Sequence, residues 1–429
     1  MTRVRFQNYR LMSYPERIVA YLCLAGFSTK LVFELGLGLW WYKLSTTTLL
    51  IFLVLLALDH AVWLAKGQFR GLPSDRPILV LIVFWFLLNL HGVLIGKLQG
   101  QSIASIINDS VPTLLCLLSL IRFGLMPKVD FTAAFRRIKG IIYATAIGCV
   151  VVGTIAVTLG LPSRASPGTH IFAMLAALQF VALAKGKFNL RFWGETLIFW
   201  FVFVASVEDI NRSTLASIGG VFVIALIMRL RFDIRGGLTG LLMVALFPFV
   251  LLATVPEGSK TYVRIYNIIN GEEGGESISL NSRKLEKQQI GSQLQRNGFT
   301  TELLGLGHGA TYEYSVYGKT ELDHGHAHYA TAYMQLRYGA VGTLYVYALA
   351  ASVLLGGLIA LKNGSSMALF MGALNLTAFV YLFTWVNFFF YFMGLTYLIY
   401  SSGLRHWKDT KERSAQVVDE FGQLTAKAL

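Results

Sequence analysis

Apolar runs of roughly 20 residues, the length that crosses about 30 Å of hydrocarbon, alternate along most of the chain with short polar stretches. The runs fall at 17–40, 45–65, 77–96, 102–121, 140–161, 168–184, 192–207, 213–230, 237–255, 339–361, 366–385 and 387–403. This pattern predicts an all-α polytopic membrane protein of about 12 transmembrane helices. One hydrophilic stretch, residues 256–330, breaks the rhythm between the ninth and tenth runs. It joins helix formers (RKLEKQQIGSQLQ) to glycine-rich segments (NGEEGGES, GLGHG) and to Tyr312, Tyr314 and Tyr317, a mixture that predicts an ordered cap. The fourth run is the weakest, because Asn108, Asp109 and Pro112 lie near one end of it. No fixed-period repeat and no low-complexity tract appears.

Basic residues alternate with the runs. Arg3, Arg5, Arg10 and Arg17 precede the first, and Lys66, Arg70 and Arg76 follow the second. The same side collects Arg122, Lys128, Arg136, Arg137 and Lys139, then Lys185, Lys187 and Arg191, then Arg229, Arg231 and Arg235, and later Lys362, Arg405, Lys408, Lys411 and Arg413. The opposite connections keep Lys43, Lys97, Arg164 and Arg212. Positive charge accumulates on the cytoplasmic side, so both termini are expected inside and the 256–330 loop outside. The expected organisation is one integral membrane domain over 1–429, with that loop carrying the chemistry and a cytoplasmic tail at 404–429. Met1 to Arg17 is polar and basic, which makes the first apolar run the expected insertion signal.

Composition agrees. Of 429 residues, 55% are hydrophobic and 14% charged, against roughly 25% charged in soluble domains. The formal charge of +14 sits mostly in short connections, which is topology bias and not a nucleic-acid groove. Cys23, Cys116 and Cys149 lie inside apolar runs and read as packing residues, not as disulfide or metal ligands.

Candidate chemistry gathers in residues 300–347. In DHGHAHY, His324, His326 and His328 recur at period two, which on a strand would set them on one face beside Asp323. A metal site is one reading, although no second carboxylate or cysteine cluster completes it. From His328 a different spacing begins. His328, Ala332, Gln335, Gly339 and Gly342 form one stripe of a helix, which predicts His328 at the outer mouth of the tenth span, above a glycine seam. A histidine there is a general-base candidate. Asn211 reads as an N-cap with Arg212 in the first turn of the eighth span, where a helix terminus and a guanidinium together favour phosphate oxygens. Arg283, Arg264 and Arg164 are further outward cations, and His308 in GLGHG is a candidate substrate contact.

In order along the chain, Asn211-Arg212-Ser213 opening a span, Arg283, the Gly305-Leu306-Gly307 turn, and His328 followed by Gly339 and Gly342 resemble the O-antigen ligase and polymerase superfamily of bacterial envelope glycosyltransferases. The motif-bearing part covers about 205–350. Where the family often has asparagine after the histidine, this chain has Tyr329. His326 and His328 are therefore both open as the base, with the spacing to Gly339 and Gly342 favouring His328.

The resemblance implies a GT-C-type architecture in the bacterial inner membrane with a periplasmic active site. It implies transfer of a glycan from undecaprenyl pyrophosphate to lipid A-core by a ligase, or to a carrier-linked glycan by a polymerase. By the same resemblance, His328, Arg212 and Arg283 are the catalytic set, with no metal and no cofactor. Arg264, Arg164, His326 and His308 complete the expected substrate-binding residues. The expected partners are the lipid-linked donor, the glycan acceptor and membrane lipids. Two other classes stay open. One is a metal-dependent membrane hydrolase using the three histidines. The other is a transporter, although Asp59, His60, Asn108, Asp109 and Glu195 are scattered without a repeat.

Overall fold

The computed structural model describes residues 12–35, 44–69, 71–72, 76–125, 131–160, 168–185, 189–206, 212–230, 234, 237–238, 240–242, 276–316, 319–324, 327, 330–363 and 365–384. The chain is helical, in the order α1 (Tyr14–Leu35), α2 (Leu44–Ala65), α3 (Arg76–Leu98), α4 (Ile103–Gly124), α5 (Phe131–Thr158), α6 (Thr169–Lys185), α7 (Leu190–Ser206) and α8 (Arg212–Leu230). After these come α9 (Glu276–Arg296), α10 (Phe299–Leu304), the strands β1 (Tyr312–Val316) and β2 (Lys319–His324), α11 (Ala330–Asn363) and α12 (Ser366–Thr384). A helix occupies each expected apolar run except the ninth, of which only a few residues are described, and the twelfth, which lies outside the described residues. The 404–429 tail also lies outside them.

Several helix starts follow local chemistry. In Ser13-Tyr14-Pro15-Glu16 the Glu16 carboxylate accepts from the Ser13 amide at 2.5 Å, the carboxylate half of a capping box, with proline in the first turn. Ser102, Asn189 and Ser365 accept the amides of Ser105, Phe192 and Ala368 at the starts of α4, α7 and α12.

Among the described residues three helical stretches are long and apolar enough to cross a membrane: Thr47–Ala65, Ala134–Thr158 and Ala330–Lys362. α6 is buried on nearly every face and packs against α5, α7, α8 and α12. Peripheral helices show the reverse. Leu50, Val54, Leu58 and Val62 on α2, and Leu190, Trp193, Leu197 and Phe201 on α7, are all exposed. Rows of this kind suit hydrocarbon and not water. Close approaches use glycine: a Cβ on Gly26 of α1 would stand 2.7 Å from Ile171 of α6, and one on Gly372 of α12 would stand 3.0 Å from the Gly357 carbonyl of α11.

The described part of the loop has structure of its own, and one expectation beside it changes. It contains an antiparallel hairpin, with Tyr312 opposite His324 and Val316 opposite Lys319, because YEYSV supplies the aromatic and β-branched residues that strands favour. The helical stripe from His328 to Gly342 is not continuous, because Gly339 leaves helical geometry at φ 60, ψ −147. A Cβ there would stand 2.4 Å from the Leu303 carbonyl carbon, so this glycine admits the backbone of α10 and kinks its own helix.

Candidate functional site

The GLGHG segment lies where α3, α4 and the foot of α11 meet. Gly305, Gly307 and Gly309 have φ of 77, 76 and 79, the left-handed region that only glycine enters freely. Their surroundings add a second demand. A Cβ on Gly307 would fall 2.1 Å from the amide nitrogen of Gly96, and one on Gly305 would fall 2.4 Å from the amide nitrogen of Tyr338. The turn therefore meets both helices backbone to backbone.

This contact closes an account opened by the kink. The helix Ala330–Tyr338 ends at Gly339, which strands its last carbonyls. The amide of Leu306 donates to Leu336 O at 2.9 Å, and that of Gly307 to Arg337 O at 3.0 Å. On the other flank the His308 amide donates to Gly92 O at 2.8 Å. His91 Nε2 donates to Leu304 O, also at 2.8 Å.

Charge completes the knot. Asp109 on α4 accepts through Oδ2 from the Gly309 amide at 2.7 Å, and the same oxygen forms an ion pair with Arg337 Nε at 2.7 Å. Arg337 is 2% exposed, donates to the Ala310 carbonyl, and lies 4.9 Å from the centre of the Tyr333 ring. A carboxylate and a guanidinium taken out of water are tolerated only when paired and hydrogen-bonded in this way.

His308 has no exposed surface. Its Nε2 lies 3.2 Å from the Tyr338 hydroxyl, and its Nδ1 has no partner among the described residues. Burial pushes its pKa down to about 4. Asp109 opposes that shift, and Arg337 and His91 reinforce it. The imidazole is therefore neutral at neutral pH and turned into the protein.

Above the turn, α9 carries the hairpin. Tyr312 donates to Glu286 Oε1 at 2.6 Å, with both side chains buried. Gln289 Nε2 donates to Ser315 O at 2.7 Å, and Gln293 Nε2 donates to Thr311 O at 3.0 Å. Glu286, Gln289 and Gln293 follow helical spacing, so one face of α9 holds the strand.

Of the expected site residues, Arg212 is the first residue of α8 and Arg283 lies within α9, with the side chains of both outside the described residues. His326, His328, Arg264 and Arg164 also lie outside them. His324 ends β2 and α11 begins at Ala330, with Ala327 and Ala330 both buried at 0% exposure.

Ion pairs at the other end of the bundle fix how the helices run. Asp59 on α2 pairs with Arg17 of α1 at 3.1 Å and with Arg122 of α4, and it accepts from Tyr21 at 3.0 Å. His60 Nε2 sits 3.2 Å from Ser119 Oγ beside them. Glu16 pairs with Arg137 of α5 at 2.8 Å, and Glu195 of α7 with Lys139 and Arg191. Arg229, in the last turn of α8, donates to Leu183 O near the end of α6 at 3.0 Å. Gln179 Nε2 of α6 donates to Thr196 Oγ1 of α7 at 2.9 Å and joins this last pair to the others, so the amino ends of α1, α5 and α7 and the carboxyl ends of α2, α4, α6 and α8 lie at one end, called here the arginine end. Asp109 precedes Arg122 along α4 by about 20 Å of helix rise. The GLGHG turn, the foot of α11 and the amino end of α8 with Arg212 therefore share the opposite end.

Sequence reasoning missed Asp109 and Arg337 as partners. The available signal was an ionisable residue inside an apolar run, together with an arginine two positions before Gly339. No protein-family profile and no curated protein matches this chain.

Proposed function

We propose that this protein is an integral membrane glycosyltransferase that moves a glycan from undecaprenyl pyrophosphate to an acceptor sugar on the periplasmic face of the bacterial inner membrane. The acceptor in this proposal is lipid A-core, which makes the protein an O-antigen ligase. One observation carries the reading: the amino end of α8, which begins at Arg212, opens toward the same end of the bundle as the foot of α11 and the connection holding His326 and His328. The arginine-rich end of the bundle, opposite the site, agrees with a cytoplasmic placement of that end.

The chemistry asks little more of the protein. The acceptor hydroxyl oxygen bonds to the anomeric carbon on the face opposite the diphosphate, and the carbon–oxygen bond to the diphosphate breaks. Polyprenyl diphosphate leaves with the electron pair, and His328 takes the hydroxyl proton. Arg212, aided by the terminus of α8, and Arg283 bind the diphosphate and stabilise the charge that grows on it. Arg264, Arg164 and His326 extend the substrate contacts. The reaction inverts the anomeric centre and needs no metal.

Single replacement of Arg212, Arg283 or His328 by alanine is expected to abolish transfer in a gene-deletion strain while the protein still accumulates in the membrane. Near-normal activity of His328→Ala would overturn the assignment of the base. The glycolipids of the deletion strain identify the acceptor. Free lipid A-core with long carrier-linked glycan supports the ligase. Single repeat units on core would mean a polymerase, and activity lost to a chelator would mean a metal enzyme.

A further inference from the structure

We propose that Asp109 is a positioning residue for the transfer reaction, holding through Arg337 the short helix Ala330–Tyr338 that follows the histidine-rich connection. The inference rests on the function proposed above, because it is the base on that connection that the short helix serves.

The kink at Gly339 separates Ala330–Tyr338 from the remainder of α11. A helix this short is well below the roughly 12–15 residues at which isolated helices hold in water, so its place is decided by what it docks on. Two docking elements are present. The first is the GLGHG turn, whose Leu306 and Gly307 amides cap the helix. The second is Asp109, whose single oxygen Oδ2 holds both the turn, through the Gly309 amide, and the helix, through Arg337 Nε. Arg337 returns to the turn through the Ala310 carbonyl. One carboxylate on α4 thus ties the turn and the helix foot to each other and to the bundle. Apolar packing would hold the foot without fixing its direction. Arg337, with Nε against the Asp109 carboxylate and Nη1 on the Ala310 carbonyl, fixes the direction as well.

The test reads local opening and transfer separately. In the full chain with Cys23, Cys116 and Cys149 replaced by alanine, Thr331→Cys reports on the short helix and Ile290→Cys on α9. Both positions are buried. A membrane-impermeant maleimide is the probe. Asp109→Asn is expected to raise the labelling rate at position 331 by about tenfold or more while position 290 stays within about twofold, as local opening requires. Asp109→Glu is expected to restore protection. Should Asp109→Asn fail to accumulate, Asp109→Asn/Arg337→Gln leaves no lone buried charge and gives the same reading. That double variant is expected to label no faster than either single one, because the two groups act as a unit.

Unchanged labelling at 331, or an equal rise at both positions, overturns the proposal. The transfer assay separates it from the functional reading. An active His328→Ala protein would overturn the glycan-transfer assignment whatever the labelling shows. Wild-type transfer by an Asp109→Asn protein with an opened position 331, alongside an inactive His328→Ala, would overturn the positioning role alone.

Discussion

Tyr312 on β1 donates its hydroxyl hydrogen to Glu286 on α9 at 2.6 Å, and neither side chain reaches solvent, at 1% and 0% exposure. A buried carboxylate that loses one donor keeps its desolvation cost with less to compensate it, a loss of about 1–3 kcal/mol. Tyr312→Phe is therefore expected to loosen α9 from the hairpin. Limited proteolysis should cut the 276–324 region faster in this variant, while the apolar helices keep their protection.

Gly307 and Gly100 share φ of 76 but not surroundings. A Cβ on Gly307 would meet Gly96 N at 2.1 Å, whereas one on Gly100 would meet nothing within 4 Å. Alanine at position 100 carries only the left-handed backbone penalty, roughly 1–2 kcal/mol. At position 307 it must also push the turn off the backbone of α3, and overpacking of this kind adds about 1–3 kcal/mol or more. Gly100→Ala is expected to purify as a monodisperse protein with a slightly lowered Tm, and Gly307→Ala to lose most of its folded yield. Equal behaviour of the two variants would refute the backbone-to-backbone docking of the turn.

The helices were legible because each depends on a local apolar period and on caps such as Ser13, Ser102 and Asn189. The hairpin was less legible, since YEYSV is a single short alternation within a polar loop. The Asp109–Arg337 contact joins residues far apart in sequence, and spacing along one helix says nothing about a partner on another. Gly339 misled for a related reason. Its spacing from His328 fitted a helical stripe, whereas its φ is set by the backbone of α10, which local pattern does not encode. Arg212 at the start of α8 was legible from Asn211 and the apolar run behind it, but its place at the same end of the bundle as the foot of α11 emerged only from the chain of polar contacts at the arginine end.

Those ion pairs also yield a sidedness prediction. Gln68, after α2, and Gln99, after α3, are both exposed and flank opposite ends of α3. With the arginine end cytoplasmic, an impermeant maleimide added to spheroplasts should label Gln99→Cys. Gln68→Cys should label only after the membrane is opened. The reverse pattern would invert the proposed topology and remove the site from the periplasm.

His308 gives the acid dependence of the fold. Its folded-state pKa is lowered to about 4, chiefly by burial, from an unfolded value near 6.5. The unfolded chain thus binds the proton first as pH falls. Stability from this group is complete above about pH 6.5, declines from there to about pH 4, and changes no further below it. The full span is about 3 kcal/mol, at 1.36 kcal/mol for each pKa unit. Replacing His308 with glutamine removes the titration while keeping a polar side chain between Gly92 and Tyr338. The Tm of the wild-type protein in detergent is expected to drop between pH 6.5 and 4.5 more steeply than that of His308→Gln, with the two curves running parallel above pH 7. Identical slopes across the acid range would mean that His308 is hydrated and protonates in place, contrary to its burial against α3.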